Sequence, residues 1–351
     1  MLAGKTYCPI LHARVAEIKG LEKLPEPTKE LLFPLIVARP WPNANHLSKT
    51  WEKLATAFGA RRYAVDLDAF KKHSSSEKPA AAEFTALFDP DDGYAAYFDA
   101  VDAIGPNAIP VLQLTNGFLP DLQRQTEHAL RLDRGLVCRI QRDLCAQPTI
   151  LVSQILAAFP EIVLFLDVGW SPDLLGHELW ADGIIATFAD GEPEAEVVVA
   201  GSSFPESFRP KARDTILAQE RAVFDNLVRR YNSVILTYGD WGSTRPPKVP
   251  TPMGSIPPRI DLPMAREWIS FRSKDAEGFD DVAQRVIDDD AWPSSLNIWG
   301  TYQIEGTAEG VPDSIKGQAA SAAARINIHL HRQAHFGAAG AFGDQDEPYR
   351  D

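Results

Sequence analysis

Basic residues are in deficit: 35 lysines and arginines stand against 48 aspartates and glutamates, a formal net charge of -13 at pH 7. That balance works against any mode of binding that needs a broad basic surface, so broad nucleic-acid binding is not expected. It leaves a local basic pocket open, because net charge says nothing about clefts. Cysteine is scarcer still, three in 351 residues. Cys8, Cys138 and Cys145 are odd in number and lie in or beside apolar runs, which predicts buried reduced thiols in a cytoplasmic protein rather than a disulfide framework. No stretch approaches the ~18 consecutive apolar residues of a membrane span. The N-terminal MLAGKTYCPILHARV lacks the apolar core of a signal peptide, so no membrane association is expected. GxGxxG and GxxxxGK(S/T) are both missing, which removes the usual signs of dinucleotide and P-loop sites. No GxSxG nucleophile elbow surrounds Ser203, which argues against a serine hydrolase.

What remains is an ordinary globular composition, 45% hydrophobic and 24% charged, in a chain longer than the roughly 250 to 300 residues at which one core stops growing. Eight short runs carry a strand signature: Tyr7–Leu11, Leu32–Ala38, Arg62–Leu67, Ile109–Leu114, Leu136–Ile140, Ile162–Val168, Glu196–Gly201 and Val234–Tyr238. Most are apolar throughout, as in VLQL, IVLFLDV and EVVVAG, which is how strands buried on both faces of a parallel sheet read. Helical periodicity fills the intervals at His46–Phe58, Pro120–Leu132, Thr149–Phe159 and Lys211–Arg230, with Ser48 and Asp121 where N-terminal turns begin. Eight strands alternating with helices over residues 1–245 match a (β/α)8 TIM-barrel-like domain. An open doubly wound sheet has the same local pattern, and the count of eight favours the barrel.

Two connections exceed what a crossover needs. Residues 68–106 hold the polar KKHSSSEKP and two helical stretches, Ala80–Phe88 and Tyr94–Val101; residues 202–232 open on Phe204-Pro205 and Phe208-Arg209-Pro210. Insertions at this rim of a barrel commonly cover a site. Beyond residue 245 a proline-rich segment, Pro246–Pro258, is followed by a hairpin (Arg259–Leu262, Glu267–Arg272) and helices over Phe279–Asp288 and Lys316–Phe336. Residues 246–336 thus read as a C-terminal extension packed on the barrel, its last helix rich in small residues (GQAASAAAR). The Gly- and acid-rich residues 337–351 are expected to be a disordered tail.

In a parallel barrel the C-terminal strand ends converge on one rim, where sites are found. There the chain offers His12, Arg39, Asp66 with Asp68, Gln113, Arg139, Asp167, Ser202 with Ser203, and Asp240 with Trp241. The plain alternative is that strand ends are polar because they meet water. Arg139 and Asp167 resist it, since each closes an otherwise apolar run and must be paired or hydrated. An ion pair between them is the simplest arrangement; Asp167, Arg139 and Asp240 are also the catalytic candidates. Asp66, Asp167 and Asp240 form an oxygen-ligand set of the kind Mg²⁺ takes. The turns Gly201-Ser202-Ser203 and Gly239-Asp240-Trp241-Gly242-Ser243 suit a phosphate held by backbone N–H groups, with Arg39, Arg139 and Arg245 completing an anion pocket. Asp240 in the same turn opposes an unaccompanied phosphate. His331 and His335 share a helix face, and without a third ligand they read as a surface pair.

The succession TYCPILHARVAEIKGLEKL, LLFPLIVA, VDLD, AIPVLQL, GLVCRI, IVLFLDVG, SSFP, LTYGDWG and RINIHL resembles the beta protein family of phages and bacteria, over roughly Tyr7 to Leu330. The resemblance implies a barrel-like fold and carries no activity with it. It also implies lysines where this chain has His12 and Arg14, and a second histidine where it has Ile328. Two functions are therefore expected in competition. One is a pocket at the rim for an anionic small molecule such as a nucleotide or phosphoester, with Mg²⁺-assisted hydrolysis as its enzymatic form. The other is a catalytically inert protein-interaction module in phage–host conflict.

Overall fold

The computed structural model describes residues 1–71, 78–115, 121–191, 195–247, 257–274 and 277–338. The first half runs β1 (Ile10–His12), α1 (Val15–Glu22), α2 (Glu26–Glu30), β2 (Leu35–Ala38), α3 (Ser48–Phe58) and β3 (Tyr63–Leu67). It continues α4 (Pro79–Ala86), α5 (Ala95–Ile104), β4 (Ala108–Pro110), α6 (Leu122–Leu132), β5 (Val137–Gln141), α7 (Pro148–Ala158) and β6 (Val163–Trp170). Then come α8 (Glu178–Ile185), β7 (Glu196–Ser202), β8 (Arg213–Leu217), α9 (Glu220–Arg230) and β9 (Ile235–Tyr238). The chain closes on β10 (Arg259–Pro263), β11 (Glu267–Arg272), α10 (Phe279–Ile287), α11 (Trp299–Ala308) and α12 (Gln318–Ala334).

All eight apolar runs contribute to parallel strands, arranged as two four-stranded sheets in the orders β1-β2-β3-β4 and β5-β6-β7-β9. Isolated parallel bridges, Tyr7 with Tyr238 and Val111 with Val137, join the sheets at both junctions. The strands bury both faces. One set of side chains, including Leu35, Val37, Val163, Phe165, Val198 and Ala200, packs in a cluster with Trp241 and with residues that lead into or out of the strands, such as Cys8, Phe33 and Val111. Their sequence neighbours, among them Ile36, Leu164, Leu166, Val197 and Val199, pack against the helices. That two-sided burial is why the runs show no polar alternation.

The region Lys211–Arg230 departs from expectation. It is not one helix: Arg213–Leu217 forms β8, and only Glu220–Arg230 is helical. β8 pairs antiparallel with β11, which pairs with β10, and its exposure alternates residue by residue. A period of two set among polar residues was masked by the stronger helical stripe that follows. The extension therefore borrows a strand from the connection between β7 and β9. Its own apolar cluster gathers Ile260, Leu262, Ile269, Phe271, Val282, Trp299 and Ile328. Helix α11 falls on a stretch with no predicted element. Residues 72–77, most of the segment Pro246–Pro258 and residues 339–351, on which the polar insertion, proline-rich and tail expectations fall, lie outside the described residues.

Candidate functional site

Arg139 occupies the centre of a closed polar cluster. Its Nη1 donates to Asp66 Oδ2 at 2.8 Å, its Nε to Asp167 Oδ2 at 3.2 Å and its Nη2 to Gln141 Oε1 at 2.6 Å. The indole of Trp241 lies under the guanidinium, 5.0 Å from its centroid, and donates Nε1–H to Asp167 Oδ1 at 3.1 Å. The Gly169 N–H completes the shell of Asp167. The expected Arg139–Asp167 pair thus exists and takes in Asp66, so the cluster bridges the two parallel sheets. Arg139 and Asp167 are buried. Burial pushes the Asp167 carboxyl up, against the opposing pull of Arg139.

Asp240 is the second hub. Its Oδ1 accepts from Tyr7 and from the Gly242 N–H at 2.7 Å; its Oδ2 accepts from Tyr238 at 2.8 Å and faces His329 Nε2 at 2.7 Å. Gly242 makes the turn possible: its φ is +57°, and a Cβ there would sit 2.5 Å from Leu11 Cδ2. Burial alone would raise Asp240, yet His329 and the two tyrosines hold it below the ordinary carboxylate value. His329 comes from the RINIHL stretch, whose Asn327 accepts from Gly300 N–H and donates to the Gly20 carbonyl, both at 2.9 Å. Ile328 sits in the apolar cluster of the extension.

Three further rim candidates, Ser202, Ser203 and Gln113, are likewise bonded to neighbours, whereas both ring nitrogens of His12 are buried without a hydrogen-bond partner among the described residues. Ser202 Oγ donates to the Thr244 carbonyl at 2.6 Å. Ser203 gives its N–H and Oγ–H to Glu220, which burial pushes up to about 7. Gln113 exchanges hydrogen bonds with Gln125. His12 is fully buried against Trp241, their ring centroids 5.2 Å apart. Burial, then the charges of Arg14, Arg139 and Arg39, push its imidazole well below the usual range. His331 and His335 are not a surface pair: both face Thr28 Oγ1, and His331 is buried.

These bonds also decide the fit of a metal. Asp167 and Asp66 spend oxygens on Arg139, and Asp240 spends both of its own on four donors. A divalent cation there would have to displace a guanidinium or the tyrosine and histidine donors, so the trio does not fit Mg²⁺.

Open space lies elsewhere, between the C-terminal strand ends and the extension, in a cleft of about 1590 Å³. Arg39, Asp68 and Arg245, three of the predicted site residues, line it; the other nine do not. Around it stand seven cations, Arg14, Arg39, Lys71, Arg245, Arg259, Arg272 and Arg325, against three carboxylates, Glu17, Asp68 and Glu206. Asp261, buried below, holds Arg259 at 3.1 Å and Arg325 at 2.8 Å. The same two guanidiniums lie over Phe208 and Phe204, 3.5 and 4.4 Å from the ring centroids. Burial, then repulsion from Arg14, lowers Arg39, and burial lowers Arg245 and Arg259; all remain cations, as arginine does in proteins. The Phe204–Phe208 part of the wall belongs to the insertion expected to cover a site. Arg259, Arg272 and Arg325 carry no signal in a linear reading, because only the docking of the extension brings them here.

Comparison with known proteins supplies a family. The sequence model of the Beta protein family matches residues 7–335. The chain is also 26% identical over 356 residues to Protein beta of Enterobacteria phage P4, an alignment covering 97% of this chain and 97% of its relative.

Proposed function

The chain belongs to the beta protein family, and we propose that it binds an anionic small molecule, a nucleotide or phosphoester, in the cleft between the strand ends and the extension. One observation carries this reading: seven cations against three carboxylates in a recess of a protein whose net charge is -13. Concentrating like charge costs folding energy, and a chain with acid to spare has no general reason to do so. Arginine is also suited to the bidentate recognition of phosphate. The proposed binding needs no metal, and Arg139, Asp167 and Asp240 act in it as scaffold.

The same proposal takes the two parallel sheets as halves of one (β/α)8-type barrel of residues 1–245, with residues 246–336 as its extension. In its support stand the bridges at both junctions, the Arg139–Asp66 bond across the sheets, and the apolar cluster that takes side chains from both sheets. Such a barrel puts the cleft at the C-terminal rim.

Thermal unfolding with tripolyphosphate, AMP and ATP, each with and without Mg²⁺, tests the binding reading. Saturable stabilisation is expected, about 2.7 kcal/mol at a ligand concentration a hundredfold above Kd, and its loss in Arg14→Gln combined with Arg245→Gln. Flat curves for every anion would remove the reading and leave the inert interaction module.

A further inference from the structure

Resting on that anion-binding reading, we infer that the ligand of the cleft is a short single-stranded oligonucleotide rather than one nucleotide. Size speaks first. Sites that enclose a drug-sized molecule such as a mononucleotide occupy roughly 300 to 1,000 Å³, and this cleft is about 1590 Å³. A single nucleotide would leave much of the wall in water.

The charge is also spread. Arg14, Arg39 and Lys71 follow β1, β2 and β3, whereas Arg259, Arg272 and Arg325 belong to the extension. A mononucleotide carries its phosphate at one end and satisfies one wall. A chain with one phosphate per nucleotide can meet both. Two of the extension's guanidiniums are held against Phe204 and Phe208 and tethered by Asp261, so their positions are set before a ligand arrives.

A stacking surface is the third element. Phe70, beside Lys71 on the cleft wall, leaves 54% of its surface exposed. An exposed aromatic ring among cations is what sequence-tolerant binding of single strands uses, since every base has a face to stack. Pro40, Pro42 and Pro257 extend the apolar lining without adding donors that would read base edges. A duplex is disfavoured: its charge needs a broad basic face, and the basic residues here line a recess in an acidic protein.

The test is fluorescence anisotropy of a labelled six-nucleotide single strand, in RNA and DNA forms, on the full chain. Binding at least tenfold tighter than AMP is expected, with salt dependence. Arg14→Gln and Arg272→Gln, from opposite walls, should each reduce the slope of log K against log salt by about 0.7. Phe70→Ala should weaken the single strand by about tenfold, more than it weakens tripolyphosphate. AMP binding as tightly as the hexamer would overturn the inference, as would a duplex or polyglutamate of matched length competing equally. Phe70→Ala without effect on the hexamer would overturn it too. Each of those results leaves anion binding standing; failure of hexamer, AMP and tripolyphosphate alike removes the anion reading itself.

Discussion

Two groups of charge sit near the same strand ends, and they are built on opposite principles. Around Arg139 a single cation meets Asp66, Asp167 and Gln141 inside a shell closed by Trp241 and Gly169. In the cleft, seven cations meet three carboxylates in the wall and Asp261 below it, beside open solvent. The first arrangement satisfies its own members, so its energy is spent on joining the two sheets. The second leaves cations over, a state that becomes favourable only when something outside the chain supplies negative charge. A polar cluster that is complete belongs to the architecture, and one with an excess of a single sign points to a partner.

The comparison predicts large stability effects inside and small ones outside. Arg139→Leu should be the most damaging change, about 3 to 5 kcal/mol by urea unfolding, because it leaves Asp66 and Asp167 buried without their cation. An unchanged midpoint would mean that the inner cluster is hydrated and the contrast false. Asp240→Asn comes next, about 2 to 4 kcal/mol, since an amide offers one acceptor oxygen where Tyr7, Tyr238, Gly242 and His329 use two.

Glu220→Gln should act through pH. Its carboxyl is raised from 4.5 to about 7 by burial, so the folded protein holds that proton more tightly than the unfolded chain does. Its contribution to stability is therefore full below pH 4.5 and falls as pH rises towards 7, by roughly 3 kcal/mol. The amide oxygen still accepts from Ser203 N–H, its NH2 must donate to Ser203 Oγ where the carboxyl accepted, and it does not titrate. The stability difference between wild type and variant should shift by that amount between pH 4.5 and 8, and a constant difference would show that Glu220 does not titrate there. Arg14→Gln should be the mildest for stability, within about 0.5 kcal/mol, yet it should weaken tripolyphosphate binding several-fold by calorimetry. A variant that lost stability and kept binding would reverse the roles of the two regions.

The parallel strands were legible because each is an unbroken apolar run, a pattern few other environments produce. β8 was not: Arg213, Thr215 and Leu217 face solvent, and its partner Glu267–Arg272 lies some fifty residues on, outside any local window. Helix α11 hid for another reason. Gly300 is a poor helix former and serves packing: a Cβ there would meet the Ala324 carbonyl at 2.7 Å and Ile328 Cγ1 at 2.7 Å. The site divided likewise. Arg139 and Asp167 announced themselves as charges closing apolar strands, and their pairing followed. That Gln141 and Trp241 also bond to them could not be read, because Trp241 arrives from another strand end. The cleft was half visible through Arg39 and Arg245, the other wall being supplied by tertiary docking.

The bonds to Asp240 also govern how the protein is made. Tyr7 leaves the ribosome tens of seconds before His329 does, at ordinary elongation rates. Through that interval the nascent chain can assemble strands one after another, but the carboxylate at its centre lacks its histidine and Gly20 lacks the Asn327 that holds it. A premature stop before residue 329 would therefore yield a protein unfinished in the middle rather than one shortened at the end, and proteases that survey new chains should remove it.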